Sequence, residues 1–323
     1  MLFKANARKP LSPALKSLVY FLRGFIALGV VAICGTVAIY LDPPLIAWGS
    51  SAMRQNPTCS SADAVDGLRK YMAQHGAGEK EIARQTHVAK EDGGYKLLDT
   101  PRGQWWVPLS SVQVLPTLLA QQASKIYGDG DKGVQAGDVV IDCGAHVGVY
   151  TREALSRGAR MVVAVEPAPD NVESLRRNFA KEIAAGQVVV LAKGVWDKED
   201  LLPLYENPGN SAGDSFVMKG EHDRVTSTIP LTTIDHIVQE LHLGHVNFIK
   251  MDIKGATVRA LQGASATLKA DRPKLAISTE EEDDKPRDVL AALHQLQPAY
   301  QYACGTCSMT NTHEITPDVL LLR

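Results

Sequence analysis

The chain has 323 residues, 45% hydrophobic and 6% aromatic, and 34 basic against 36 acidic side chains leave a net charge of -2. So even a balance provides no electrostatic footprint for nucleic acid, and so few aromatics make no base-stacking platform. Its five cysteines, Cys34, Cys59, Cys143, Cys304 and Cys307, are too few for a disulfide scaffold at this length.

The first element is apolar. Gly24 to Leu41 carry no charge over 18 positions. At 1.5 Å per residue such a helix is about 27 Å long, close to the roughly 30 Å hydrocarbon core of a bilayer. Tyr20, Phe21, Tyr40 and Trp48 flank it as interface aromatics, and Asp42-Pro43-Pro44 stops it. The expectation is a single membrane-anchoring helix over about 19–41, inside an N-terminal region of residues 1–57. A cleaved signal peptide has a shorter apolar run, and a buried core helix would keep a polar stripe. Lys4, Arg8, Lys9, Lys16 and Arg23 precede the span, so the positive-inside rule sends the following domain outward. A nucleotide-like cofactor is expected inside, and the side of the domain stays open.

Residues 58–136 read as a lead-in. Ser60 to Ala89 is expected to be helical, with Val65, Leu68, Tyr71 and Met72 as a short apolar stripe. Gly93-Gly94 then punctuates, and Tyr95 to Pro108 reads as two strands around Thr100-Pro101-Arg102-Gly103. Trp105 and Trp106 are expected to pack over one end of the core. Val112–Tyr127 is a helix candidate.

From Gly137 short apolar runs alternate with helical periods through 137–323. Strands are expected at Val139–Asp142, Met161–Glu166, Val188–Ala192, Val246–Asp252, Lys274–Ser278, Tyr300–Ala303 and Val319–Leu322. Helices are expected at Tyr150–Arg157, Asp170–Ala184, Ile234–Leu241, Ala256–Ala270 and from Pro286 through Leu296. Residues 201–231 read as antiparallel strands around a polar loop, the expected substrate cover. The alternation predicts an α/β, Rossmann-like, doubly wound and mostly parallel sheet. Such a sheet binds ligands beyond the carboxyl ends of its strands.

The residues at those ends carry the chemistry. The first strand runs into Asp142-Cys143-Gly144-Ala145-His146-Val147-Gly148, and Glu166 ends the next strand, 18 residues beyond Gly148. The glycines allow a tight turn and close backbone approach of a ligand. Glu166 stands where a carboxylate accepts ribose hydroxyls. A pyrophosphate-binding turn would repeat glycine where His146 stands, and would be repelled by Asp142. The ammonium and sulfonium of S-adenosylmethionine would instead be attracted, which favours that donor over NAD.

Residues from about Tyr95 to Ala276 resemble the FkbM-type methyltransferase family. The carrying segments are GDVVIDCGAHVGVYT, VVAVEPAPDNVESLRRNF, STIPLTTIDHIV, VNFIKMDIKGATVRALQGA and PKLAIS. The resemblance implies a class I methyltransferase sheet and methyl transfer from S-adenosylmethionine, typically to a hydroxyl of a sugar or secondary metabolite. By matching position it makes Asp142, Gly144, Ala145 and Gly148 the donor loop and Glu166 the ribose contact. Lys193 and Gly194, within the stretch to Trp196, fall near the adenine, and Asp252 faces the reacting methyl. The chain departs from the pattern after the fourth strand. It reads Asp252-Ile253-Lys254-Gly255 where the family usually has Asp-x-Glu-Gly, and Thr257 where a second Glu is usual. After PKLAIS comes Thr279 and an acidic run, Glu280 to Asp284, in place of an aromatic and a His. One expectation is an exchanged charge pattern with Lys254 facing that run; the other is that the run is a solvated loop before a helix.

Asp252 is the candidate catalytic residue, as base or as the group that orients the acceptor; capping of the following helix is its structural alternative. His146 is expected to pack against backbone. His222, His236, His242 and His245 have no metal-ligand spacing, and no metal is expected. Cys304-Gly305-Thr306-Cys307 is expected to be a pair of ordinary thiols, with a half zinc site, a redox pair or a disulfide as alternatives. The expected partners are a small-molecule or glycan acceptor and the membrane. Two other functions share the fold: a nucleotide-sugar or NAD-dependent enzyme, and a membrane-tethered, catalytically silent binding protein.

Overall fold

The computed structural model describes residues 58–73, 78–309 and 315–323. The expected anchor lies outside them. Among the described residues no helix is long and apolar enough to cross a membrane.

The lead-in starts with α1 (Ser61–Ala73) and α2 (Glu79–Gln85). An antiparallel sheet comes next, β1 (His87–Asp92), β2 (Tyr95–Thr100) and β3 (Gly103–Pro108), and then α3 (Leu115–Ala123). The expected helix to Ala89 therefore ends early. Every residue of β1 is exposed, so it lacks the alternating burial by which a strand is recognised. The lead-in shares a core with the glycine turn at 144–148 and the helix after it: Leu98, Trp105, Val107, Leu115 and Leu119 pack with Val147 and Val149. Trp105 is buried there, as expected, with the Arg152 guanidinium stacked over its ring.

The rest of the chain runs β4 (Val139–Cys143), α4 (Val149–Ser156), β5 (Met161–Val165), α5 (Pro169–Asn178), α6 (Ala180–Ala184), β6 (Val188–Leu191) and β7 (Gly194–Val195). A long hairpin, β8 (Asp200–Glu206) and β9 (Arg224–Thr232), leads to α7 (Ile234–Glu240), β10 (Phe248–Met251), α8 (Thr257–Gln262) and α9 (Ser265–Ala270). Last come β11 (Lys274–Ser278), α10 (Pro286–Leu296), β12 (Tyr302–Cys304), β13 (Cys307–Met309), β14 (Ile315–Pro317) and β15 (Val319–Leu322).

Seven of these strands form one sheet in the order β12-β15-β11-β10-β4-β5-β6. From β11 to β6 all pairs are parallel, while β15 runs antiparallel to both β11 and β12. Alternate residues face opposite layers. Ile141, Val163, Ile249 and Ile277 pack with residues of α7 to α10. On the opposite face Val140, Val162, Phe248 and Ala276 meet Tyr150 and Ala154 of α4. Double coverage explains why these strands read as unbroken apolar runs. Chain order reverses at β4, so the crevice of such a sheet opens at the carboxyl ends of β4 and β10.

Two expected helices are each broken in two. Asp170–Ala184 splits at Phe179, which leaves helical geometry (φ -121, ψ 24) and buries its ring beneath the turn at Gly148. Ala256–Ala270 splits after Gln262 because Asp235 caps the second half, accepting from the Ala266 and Thr267 amides at 2.9 and 2.8 Å.

The C-terminal cysteines differ from expectation. Cys304 forms a disulfide with Cys59, 245 residues earlier, and Cys307 is a buried free thiol. The bond ties the start of the lead-in to β12, where Ala64 and Leu68 of α1 pack on Cys307 and Ile315. The CxxC spacing drew attention to Cys307, whereas the partner of Cys304 comes from the other end of the fold.

Candidate functional site

A cleft opens where the strand order reverses. Gly144, Ala145, His146, Glu166, Lys193, Gly194, Asp252 and Lys254 all line it, so most residues singled out in the sequence converge on one place.

The turn after β4 depends on its glycines. Gly144 has φ +74, and a Cβ there would fall 2.1 Å from the Asp252 carbonyl oxygen. At the tips of β4 and β10 the Asp252 amide also donates to the Cys143 carbonyl at 3.1 Å. Gly148, at φ +95, opens α4 and packs against the Phe179 ring and Leu175, 2.1 and 2.9 Å from where a Cβ would sit. A side chain at either position meets both a clash and an unfavourable left-handed backbone.

Glu166 is nearly buried, and protein donors fix its carboxylate. Oε2 accepts from the His146 amide at 2.8 Å; Oε1 accepts from the Ala168 amide at 3.0 Å and from Asn171 Nδ2 at 3.3 Å. Burial raises its pKa against these hydrogen bonds. Oε2 keeps acceptor capacity toward the cleft, because a carboxylate oxygen takes two hydrogen bonds. Tyr150, another lining residue, has a buried hydroxyl with no partner among the described residues. The open Oε2 and the orphaned hydroxyl both suit a polar ligand.

Asp142 is placed differently from the sequence reading. It is fully buried beneath the turn and does not line the cleft. Its Oδ2 accepts from Thr151 Oγ1 at 2.7 Å, and its Oδ1 lies 3.1 Å from Lys250 Nζ. Lys250 also donates to the Gly144 carbonyl at 2.7 Å and reaches the cleft itself. A lone lysine inside the apolar run VNFIKMD was the available signal for this partner.

At the other end, Asp252 follows β10. Tyr127 OH donates to its Oδ2 at 3.0 Å and Lys254 Nζ sits 3.1 Å from its Oδ1. Burial pushes the carboxyl up, but the Lys254 and Lys250 charges outweigh it and hold the pKa at about 2. So weak a base cannot take a hydroxyl proton efficiently near neutrality. The low pKa argues against the base role of Asp252. Lys254 adopts φ +40 and bridges onward to Glu281 Oε1 at 3.0 Å, which is the exchanged charge pattern expected from the sequence. Asp284 of the same run accepts from the Gly255 and Thr257 amides at 2.8 and 3.1 Å, so the run is built into the site. Capping of α8 thus falls to Asp284. Tyr127 carried no sequence signal, since its hydroxyl arrives from the end of the lead-in.

His146 joins three segments. Its Nε2 lies 2.8 Å from Ser211 Oγ and 2.9 Å from Ser111 Oγ, and the two hydroxyls also contact each other. Burial, followed by the Lys250 charge, lowers its pKa to about 3, so the ring is neutral near pH 7. Lys193 pairs with Glu240 at 3.4 Å on the rim. Among the described residues no group of His, Cys, Asp and Glu could hold a metal ion.

A seven-stranded sheet of this order, with a glycine turn after its first strand and acids after its second and fourth strands, is a methyltransferase-like α/β fold. Residues 142–303 match the methyltransferase FkbM domain, and the chain belongs to that family. The family normally uses S-adenosylmethionine. Among solved structures the chain is similar to the methyltransferase FkbM from Methylobacillus flagellatus KT, with 17% identity and TM-score 0.44 over 80% of this chain and 62% of that one. It therefore spans less than two thirds of that relative's length. It is also similar to Trm5b from Pyrococcus abyssi, with 14% identity and TM-score 0.38 over 74% of this chain and 62% of that chain. No curated protein matches the chain.

Proposed function

We propose that the protein is an S-adenosylmethionine-dependent methyltransferase acting on an oxygen acceptor, a hydroxyl of a sugar or secondary metabolite, and tethered to a membrane through residues of about 19–41. The observation that carries this reading is that Glu166 and Asp252, from different strand tips, line one cleft on either side of the glycine turn. Glu166 is pre-set by its protein donors to accept ribose hydroxyls, and Lys193 and Gly194 border the adenine end. The donor supplies an activated methyl group on a sulfonium. Asp252, clamped by Tyr127 and Lys254, holds the acceptor in line, and the cleft walls exclude water, so alignment and desolvation dominate over proton removal. Calorimetric titration of the full chain in detergent with S-adenosylmethionine and its demethylated product tests the reading. Absence of binding at millimolar donor sinks it.

A second reading is favoured by one observation, the Cys59–Cys304 disulfide. Disulfides persist in oxidising compartments, and the basic residues before the apolar span send the domain the same way. A domain there is cut off from the cytosolic donor pool. It would serve as a membrane-tethered binding module, and the same calorimetry would then show no donor affinity.

A further inference from the structure

The loop between β8 and β9 closes over the cleft, and Ser211, Asp214, Ser215 and Phe216 from it form part of the lining. It is tied down on both sides. Ser211 Oγ meets His146 Nε2 at 2.8 Å on the side of the glycine turn. The Ser211 carbonyl accepts from Asn171 Nδ2 at 3.4 Å, and that same amide donates to Glu166 Oε1. On the acceptor side, Ser215 Oγ donates to the Lys254 carbonyl at 2.9 Å. Asp214 hangs between these ties. Its Oδ1 accepts from the Asn207 amide at 2.8 Å, and its Oδ2 has no hydrogen-bond partner among the described residues.

We infer that Asp214 is a second carboxylate for the bound nucleoside, accepting an N–H or O–H of the adenosine portion beside Glu166. The inference rests on the proposed donor site and adds a residue that lies outside the motif pattern of the strand tips. The surrounding charges fit it. Glu166, Glu206 and Asp223 act on Asp214 with the same sign. The lysines that line the cleft are engaged elsewhere: Lys193 with Glu240, Lys250 with Asp142, and Lys254 with Asp252 and Glu281. His146 is neutral and bonded to serines. Desolvation first, and then the neighbouring acids, lift the Asp214 carboxyl to about 8. A ligand N–H or O–H bonds more strongly to the ionised carboxylate than to the neutral acid. Binding therefore expels a proton, and affinity rises with pH until the carboxyl is ionised without help.

The test uses 5′-methylthioadenosine, which has the nucleoside but neither sulfonium nor amino acid, so the ligand itself does not titrate in the range. The full chain in detergent is titrated calorimetrically with this probe and with S-adenosylmethionine between pH 7 and 9. The expected result is an affinity for methylthioadenosine that climbs about tenfold over that range and a flat profile in Asp214→Asn, whose side-chain oxygen still accepts from Asn207. A flat wild-type profile, or a slope that persists in Asp214→Asn, overturns the inference while leaving the donor site standing. Failure of the wild type to bind either probe removes the donor site and the inference together.

Discussion

Lys250 and Asp142 stand directly opposite each other in the parallel pairing of β10 and β4, and their side chains form a buried ion pair at 3.1 Å. Both lie on the face covered by α4, which supplies Thr151 to the second Asp142 oxygen. The acid that heads the glycine turn is thus neutralised by the protein's own cation. Its role is to hold Lys250 under the Gly144 carbonyl and so fix the shape of the turn.

Breaking that pair leaves a carboxylate buried without a counter-charge. Lys250→Met is expected to cost about 3–5 kcal/mol, because the unpaired partner bears the full desolvation penalty. Adding Asp142→Asn should recover a large part of the loss. Urea denaturation of the single and double variants measures both quantities. A loss below about 1 kcal/mol in Lys250→Met would mean that the pair is solvated.

Lys254 bridges Asp252 and Glu281, and this contact can be tested by charge reversal. Lys254→Glu and Glu281→Lys should each destabilise the protein, and the double variant should lose less than the sum. The coupling expected for a pair that is mostly but not wholly buried is about 0.5–3 kcal/mol. Additive losses would show that the two side chains do not act together.

The same network sets a pH dependence. The Asp252 carboxyl lies at about 2 in the folded protein against 3.8 for a free aspartate. A depressed folded value contributes stability that is present above the unfolded pKa and disappears as the pH falls through the folded one. Asp252 therefore adds stability above about pH 4 and loses it between roughly pH 4 and 2. Its carboxyl signal, followed by carbon NMR, should begin to titrate only below about pH 4. In Lys254→Ala the transition should move upward. A wild-type midpoint near 4 would contradict the clamp by Lys254 and Tyr127.

Much of this site was legible before the fold was known, and the reasons differ from residue to residue. Gly144, Gly148, Glu166 and Asp252 follow apolar runs, and residues at strand ends of a parallel sheet meet at the reversal point whatever the details of packing. Side-chain direction was not legible. Asp142 and Lys250 each end up inside because both face α4, and that follows from register, which a linear pattern leaves unspecified. Tyr127 and Asp214 reach the cleft from segments with no motif, and Ser111 reaches His146 from another. In the fold, β1 was missed because an exposed edge strand need not alternate, and two helices were drawn too long because their breaks serve tertiary contacts. One is the ring of Phe179; the other is the cap from Asp235.

Glu166 presents the most direct handle on donor binding. Its carboxylate satisfies three protein donors and retains room on Oε2. Glu166→Ala removes the ribose acceptor and leaves the His146 and Ala168 amides without partners. Donor affinity should fall by about 1.5–3 kcal/mol, roughly ten- to hundredfold. Glu166→Gln keeps acceptor capacity but loses charge, and should fall by less. Calorimetry with the demethylated donor product separates the two. Equal affinity for wild type and Glu166→Ala would take Glu166 out of the site.

Cys59 and Cys304 join the first described residues to β12, and the bond has a consequence for where the domain resides. Removing a disulfide that closes so long a loop, through Cys59→Ser, should cost about 2–4 kcal/mol in the oxidised protein and nothing under reductant. Non-reducing digestion of protein taken directly from membranes should yield the Cys59 and Cys304 peptides linked, with the Cys307 peptide free. Reporter fusions at the C-terminus decide the side: activity only of a reporter that folds outside the cytoplasm, the side to which the positive-inside rule points, would favour the silent binding module. Free Cys59 and Cys304 thiols in a domain facing the cytoplasm would instead return the cleft to the cytosolic donor pool. That outcome would withdraw the support for a silent binding module and leave methyl transfer as the reading that stands.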